Sequence, residues 1–156
     1  MPLTVLVCDL DGFKGVNDRF GHLEGNRVLR EVAQGLMDNC REYDYVSRMG
    51  GDEFVVVLPG HKPDAVAAKI QRLQDVALLA GRRLFGEDLL SMSVGEASYP
   101  ADGTDAEHLL AEADRRMYKT KQQNSLVRAQ LQAFEMVRLS TRVSGTEPDT
   151  SSLSRA

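Results

Sequence analysis

The sequence predicts an α+β fold, a central and mostly antiparallel sheet with flanking helices. Short apolar runs rich in β-branched residues recur along the chain, and segments with apolar residues at helical spacing alternate with them. Two of the runs flank Gly50-Gly51 and read as antiparallel strands joined by a tight turn. The resulting order, β-α-β-β-α-β-α, implies an antiparallel sheet with helices packed on one side.

"LTVLVCDL" (Leu3–Leu10) reads as a buried strand ending at Asp9. The stretch "DGFKGVNDRFGHLEGN" is turn-rich, with a short helix starting near "DGFK". From about Gly25 a helix carries Val28, Leu29, Val32, Leu36 and Met37 on one face. "DYVSRM" and "EFVVVLP" form a hairpin, with Arg48 placed to brace its turn. "PDAVAAKIQRLQDVALLAG" is a helix with Pro63 in its first turn and Gly81 marking its end. "LLSMSVGEASYP" is the last strand. "DAEHLLAEADRRMYKTKQ" is a helix with Leu109, Leu110, Ala113 and Met117 on one face. One domain thus covers residues 1–124. Residues 125–143 read as an amphipathic helix suited to pairing, and 144–156 as a polar, Ser/Thr-rich disordered tail.

At 156 residues the chain has the length of one ordinary domain. Its net charge of -4 offers no general attraction to a nucleic acid polymer or an anionic membrane, so any phosphate site must be built locally. Cys8 and Cys40, two cysteines without a pairing pattern, fit buried thiols in a reducing compartment. No apolar run approaches the ~20 residues of a membrane span, and no basic stretch precedes an apolar one at the start. The expectation is a cytoplasmic domain.

The acidic residues carry the chemistry. If the first strand lies beside the hairpin, Asp9 and Asp11 approach Asp52 and Glu53, which directly follow the two glycines. Carboxylates gathered in this way repel one another unless a cation joins them. Oxygen donors without His or Cys favour a hard ion such as Mg²⁺, with Mn²⁺ as a substitute. Lys14, five residues past Asp9, can meet a phosphate as a point charge. These parts point to metal-assisted phosphoryl or nucleotidyl transfer. Acidic residues at strand ends are often simply solvated, and Asp11 can serve the fold alone.

Beyond this, the chain resembles the GGDEF domain family of diguanylate cyclases. The carriers are "GGDEF" itself (Gly50–Phe54), "DLDGFKGVNDRFGHLEGN" (Asp9–Asn26), "SVGEASYP" and "LLAEADRRMYKTK". The resemblance runs from about Leu3 to Asn124. It implies a ferredoxin-like, nucleotide-cyclase-like fold in which two GTP molecules on two opposed domains condense into cyclic di-GMP with loss of pyrophosphate. By the same resemblance Asp9, Asp52, Glu53 and the carbonyl of Leu10 hold Mg²⁺, and Asp52 lies where the ribose 3′-hydroxyl loses its proton. Phe13, through its backbone, and Lys14 and Lys121 serve the triphosphate. Asn17 hydrogen-bonds guanine, with His22 close by and Asn26 at the family's base-reading aspartate. Arg41 and Asp44 match its R-x-x-D inhibitory product site, where Arg72 supplies a further arginine.

Three departures stand out. Asn26 replaces a carboxylate that would accept both guanine N–H groups, and an amide suits adenine better. Ser125 stands where relatives often carry a phosphate-binding arginine. The family's usual opening helix, D-x-L-T-G-L-x-N-R, has no counterpart before "MPLTVLV". The expected function is a diguanylate cyclase acting as a homodimer, fully or weakly active, with product inhibition at Arg41 and Asp44. The alternatives are a cyclic di-GMP receptor and a cyclic dinucleotide synthase of relaxed base choice.

Overall fold

Strand β1 (Leu3–Asp11) is the spine of the molecule. In this computed structural model, which describes residues 1–144, β1 pairs antiparallel with β3 (Glu53–Pro59) on one side and β4 (Ser91–Tyr99) on the other. Strand β2 (Tyr45–Gly50) closes the hairpin with β3, giving the order β2-β3-β1-β4. This is the ferredoxin-like arrangement, and every pair in it is antiparallel. The tail expected beyond residue 144 lies outside the described residues.

Side chains alternate across β1, and both faces are covered. Leu6, Cys8 and Leu10 join a core with Val28, Val32, Leu36, Phe54, Leu73 and Ala77 from α2 (His22–Asp38), β3 and α3 (Pro63–Phe85). Val5, Val7, Val55 and Ala97 instead pack on Leu109, Ala113 and Met117 of α4 (Ala106–Ser144). The expectation of helices on one side is therefore corrected. The sheet is sandwiched because Leu3–Cys8 is apolar at both parities and needs cover on both faces.

One local reading is extended and another changes. The short helix expected near "DGFK" is α1 (Phe13–Phe20), entered through Gly12 in a left-handed conformation. Val16 is buried, Phe13 and Phe20 flank the core, and the Phe20 ring stacks on Phe85 at 4.4 Å. Gly81 does not stop α3, which runs on to Phe85 and ends at Gly86. A Cβ at Gly81 would lie 3.2 Å from the Glu87 carbonyl oxygen, so the glycine marks close packing of the following loop.

The chain divides into two compact units, the first Met1–Gln122 and the second beginning at Gln123. In the second, Leu126, Leu131, Phe134 and Val137 are exposed. Among the described residues no helix is long and apolar enough to cross a membrane.

Candidate active site

The antiparallel register builds the acidic edge. Asp9 stands opposite Glu53, and the Leu10 N–H donates to the Asp52 carbonyl at 3.1 Å. The tight turn needs Gly51, whose φ of +53 an L side chain rarely adopts. Arg48 donates to the Gly51 carbonyl at 3.4 Å and braces this turn. Asp9 and Asp11 share the face of β1 that α4 covers, and Lys121 reaches them from that helix. Its Nζ lies 2.9 Å from Asp9 Oδ2 and 3.9 Å from Asp11 Oδ1.

Electrostatics at this edge are unbalanced. Burial, followed by the charge of Asp9, pushes the Asp52 carboxyl above its ordinary value. Burial, then Asp114, Asp9 and Asp52, does the same to Glu53. Burial pulls the Lys121 ammonium down, but its bond to Asp9 and the surrounding carboxylates more than offset that, so its pKa ends above the usual value. Asp9 Oδ1 and Asp11 Oδ1 are buried without a hydrogen-bond donor. Among the described residues no three His, Cys, Asp or Glu side chains are grouped so that they could hold a metal ion as they stand. The donor set is nonetheless all oxygen and carries surplus negative charge, which fits a hard divalent cation.

Asp11 differs from its neighbours. It is buried, and its Oδ2 accepts from Ser93 Oγ at 2.6 Å and Ser91 Oγ at 3.3 Å. These serines tie β1 to β4 beneath the site. Sequence reasoning had no signal for them, because only the β1–β4 register puts Ser93 opposite Asp9 and Ser91 opposite Asp11.

Helices α1 and α2 carry the remaining predicted residues. Lys14 is exposed on α1, and Phe13 and Asn17 share the α1 face that meets Gly25 of α2. His22 and Asn26 are both exposed, one turn apart on α2. Buried Leu10 leads from β1 toward this helix pair. A separate cavity of ≈ 630 Å³ opens at the other end of β1, around Leu3, Val5, Tyr45 and Leu109. Its lining is mostly apolar and includes no Lys or Arg side chain to meet a phosphate.

Arg41 and Asp44 form their own cluster. The Asp44 side chain is fully buried. It accepts from the Arg41 backbone N–H at 2.8 Å and Arg41 Nη2 at 3.1 Å, with His61 Nε2 at 3.2 Å and Lys69 Nζ at 4.0 Å. Burial raises the Asp44 pKa, but the bonds from Arg41 and His61 outweigh it and hold the carboxyl below its ordinary value. Arg41 also donates to the Pro59 carbonyl at 2.8 Å, and Lys69 to the Asn39 carbonyl. Arg72 is exposed on α3, one turn beyond Lys69. A shallow cavity of ≈ 340 Å³, lined in part by Met37, Arg41, Asp44 and Tyr45, opens here. The sequence pattern gave Arg41 and Asp44 but not His61 and Lys69.

A ferredoxin-like sheet with carboxylates on its hairpin edge defines a domain of the nucleotide-cyclase-like class. Residues 1–126 match the family model described as "Diguanylate cyclase, GGDEF domain", and the chain belongs to the GGDEF family. It is 40% identical over 120 residues to the bifunctional diguanylate cyclase/cyclic di-GMP phosphodiesterase MucR of Pseudomonas aeruginosa, a match spanning 77% of this chain but 18% of that protein. Diguanylate cyclase DosC of Escherichia coli K12 is 39% identical over 122 residues, spanning 77% of this chain and 26% of DosC. Among solved structures, the GGDEF domain of DgcB from Caulobacter crescentus in complex with c-di-GMP superposes with a TM-score of 0.69 at 29% identity, covering 78% of this chain and 72% of that one.

Proposed function

We propose that this domain is a diguanylate cyclase, joining two GTP molecules into cyclic di-GMP with the help of Mg²⁺ or Mn²⁺ and a second copy of itself. The observation that carries the reading is the meeting of Asp9, Asp52 and Glu53 with Lys121 at one sheet edge, in a chain of this family. In each of two equivalent steps the 3′-oxygen of one GTP bonds to the α-phosphorus of the other. The α–β phosphoanhydride bond breaks, and pyrophosphate leaves with the electron pair. The proton from the hydroxyl passes toward Asp52, which stands beside Asp9 at this edge. A single domain holding one GTP cannot close the ring, so a two-fold pair is the natural reacting assembly.

Asp9, Asp52, Glu53 and the Leu10 carbonyl would hold the cation. When bound it offsets charge on the departing pyrophosphate and acidifies the 3′-hydroxyl. Lys14, exposed on α1, and Lys121 bind phosphate oxygens, with the backbone at Phe13 beside them. For Lys121 this means exchanging a carboxylate partner for a phosphate. Asn17, His22 and Asn26 surround the base. Incubating the protein with GTP and Mg²⁺ and identifying products by mass is the direct test. Bound cyclic di-GMP with no synthesis would make the domain a receptor instead.

Asn26 leads to the first expected outcome. Asn26→Asp restores an acceptor pair for guanine, worth roughly 1–3 kcal/mol, so the GTP-over-ATP ratio of initial rates rises about ten- to a hundredfold. An unchanged ratio would remove Asn26 from base choice. At the second cluster, the Arg41→Ala variant loses the guanidinium that grips Asp44 and Pro59. The concentration of cyclic di-GMP giving half-inhibition then rises at least about tenfold, as expected for one charge-assisted contact. Equal inhibition of variant and wild type would exclude this cluster as the product site.

A further inference from the structure

We infer that Gly25 is a positioning residue for base recognition: its lack of a side chain is what keeps the Asn17 amide in place. The inference rests on the proposed role of Asn17 at the base. Asn17 and Phe13 lie one turn apart on the face of α1 that meets α2, and both come up against Gly25. A Cβ built on Gly25 would overlap Asn17 Oδ1 outright, lie 2.9 Å from its Cγ and 3.4 Å from Phe13 Cζ. Oδ1 is buried and accepts no hydrogen bond. No polar contact therefore fixes that oxygen, and the niche over Gly25 does so sterically.

The atoms in the way decide what a methyl group would do. The Asn17 amide is the end of a rotatable side chain, so it yields by turning aside at little cost to the backbone. Alanine is also the better helix former inside α2. The loss therefore falls on the direction of the amide and leaves the fold intact. Nothing in the sequence pattern separates this glycine from one that serves only helix packing.

The test uses α,β-methylene analogues of GTP and ATP, which carry the bases but cannot undergo the condensation, in equilibrium titrations with Mg²⁺. Gly25→Ala is expected to weaken the guanine analogue about ten- to a hundredfold, the range of one lost base contact. The adenine analogue moves little, and the thermal midpoint holds or rises. Asn17→Ala should show the same selective loss, and adding Gly25→Ala to it should cost nothing further. Wild-type guanine affinity in Gly25→Ala, equal weakening of both analogues, or additive losses in the double variant would overturn the inference. If Asn17→Ala itself leaves guanine affinity untouched, the base-site reading fails with it. If Asn17→Ala weakens guanine binding but Gly25→Ala does not, the inference fails alone.

Discussion

Asp52→Asn is expected to abolish turnover while making the ligand-free protein more stable. The two effects share one cause. Asp52 is held half-buried beside Asp9, and burial followed by the charge of Asp9 raises its pKa above 3.8. A carboxyl whose folded pKa is raised binds its proton more tightly folded than unfolded. Stability is then unpenalised below the ordinary carboxylate range and declines as pH rises through the raised value. Glu53, raised above 4.5, adds a decline of the same sign. The neutral amide removes the Asp52 part of this penalty. Solvent screening at a half-buried site limits the gain to about 1 kcal/mol, roughly 2–4 °C in Tm for a domain of this size.

The midpoint difference between variant and wild type should grow from pH 4 toward neutrality and shrink at high salt, since part of it is charge repulsion. Synthesis of cyclic di-GMP should fall by about a thousandfold or more, as when a group that stabilises transition-state charge is lost. Mg²⁺ should raise the wild-type midpoint through preferential binding to the folded state and leave that of Asp52→Asn nearly still. A variant less stable than wild type at pH 7 without ligand would contradict this account of the acidic edge, whatever its activity.

Much of this was legible in the residues. Glycine-glycine followed by "DEFVVV" marks a hairpin, and apolar β1 placed beside it brings Asp9 toward Asp52 and Glu53, but the register that sets Asp9 opposite Glu53 came from the structure. The helical face of α4 was equally plain in Leu109, Ala113 and Met117, but its period does not say which side of the sheet it covers. That information lay in β1, where Val5 and Val7 are as apolar as Leu6 and Cys8, a pattern that calls for two covered faces. A short helix near "DGFK" was legible, but its extent to Phe20 was obscured by glycine and asparagine, although Phe13, Val16 and Phe20 keep a helical spacing. Contacts between segments far apart in sequence left no such trace. Ser91 and Ser93 beneath Asp11, and His61 and Lys69 around Asp44, depend on registers and helix placements that local patterns do not encode.

Gly95 is where the acidic edge depends most on backbone packing. It lies opposite Val7 on the β1–β4 ladder, directly under α4. A Cβ there would overlap the Ala113 carbonyl oxygen and the Met117 backbone nitrogen and lie 2.8 Å from Met117 Cα. These atoms belong to the helix itself, so no rotamer change relieves the clash, in contrast to Gly25. Gly95→Ala must push α4 off the sheet or unwind a turn of it, at about 3 kcal/mol, the upper part of the usual range for overpacking. Denaturant unfolding should show that loss, and truncating Met117 to Ala should not recover it because the obstruction is main chain. Lys121 follows Met117 by one turn, so its 2.9 Å pair with Asp9 should go as well. The fraction that remains folded should therefore bind GTP weakly. A Gly95→Ala protein of wild-type stability would mean that α4 does not lie on the sheet as closely as the backbone contacts require, and the placement of Lys121 beside Asp9 would fall with it.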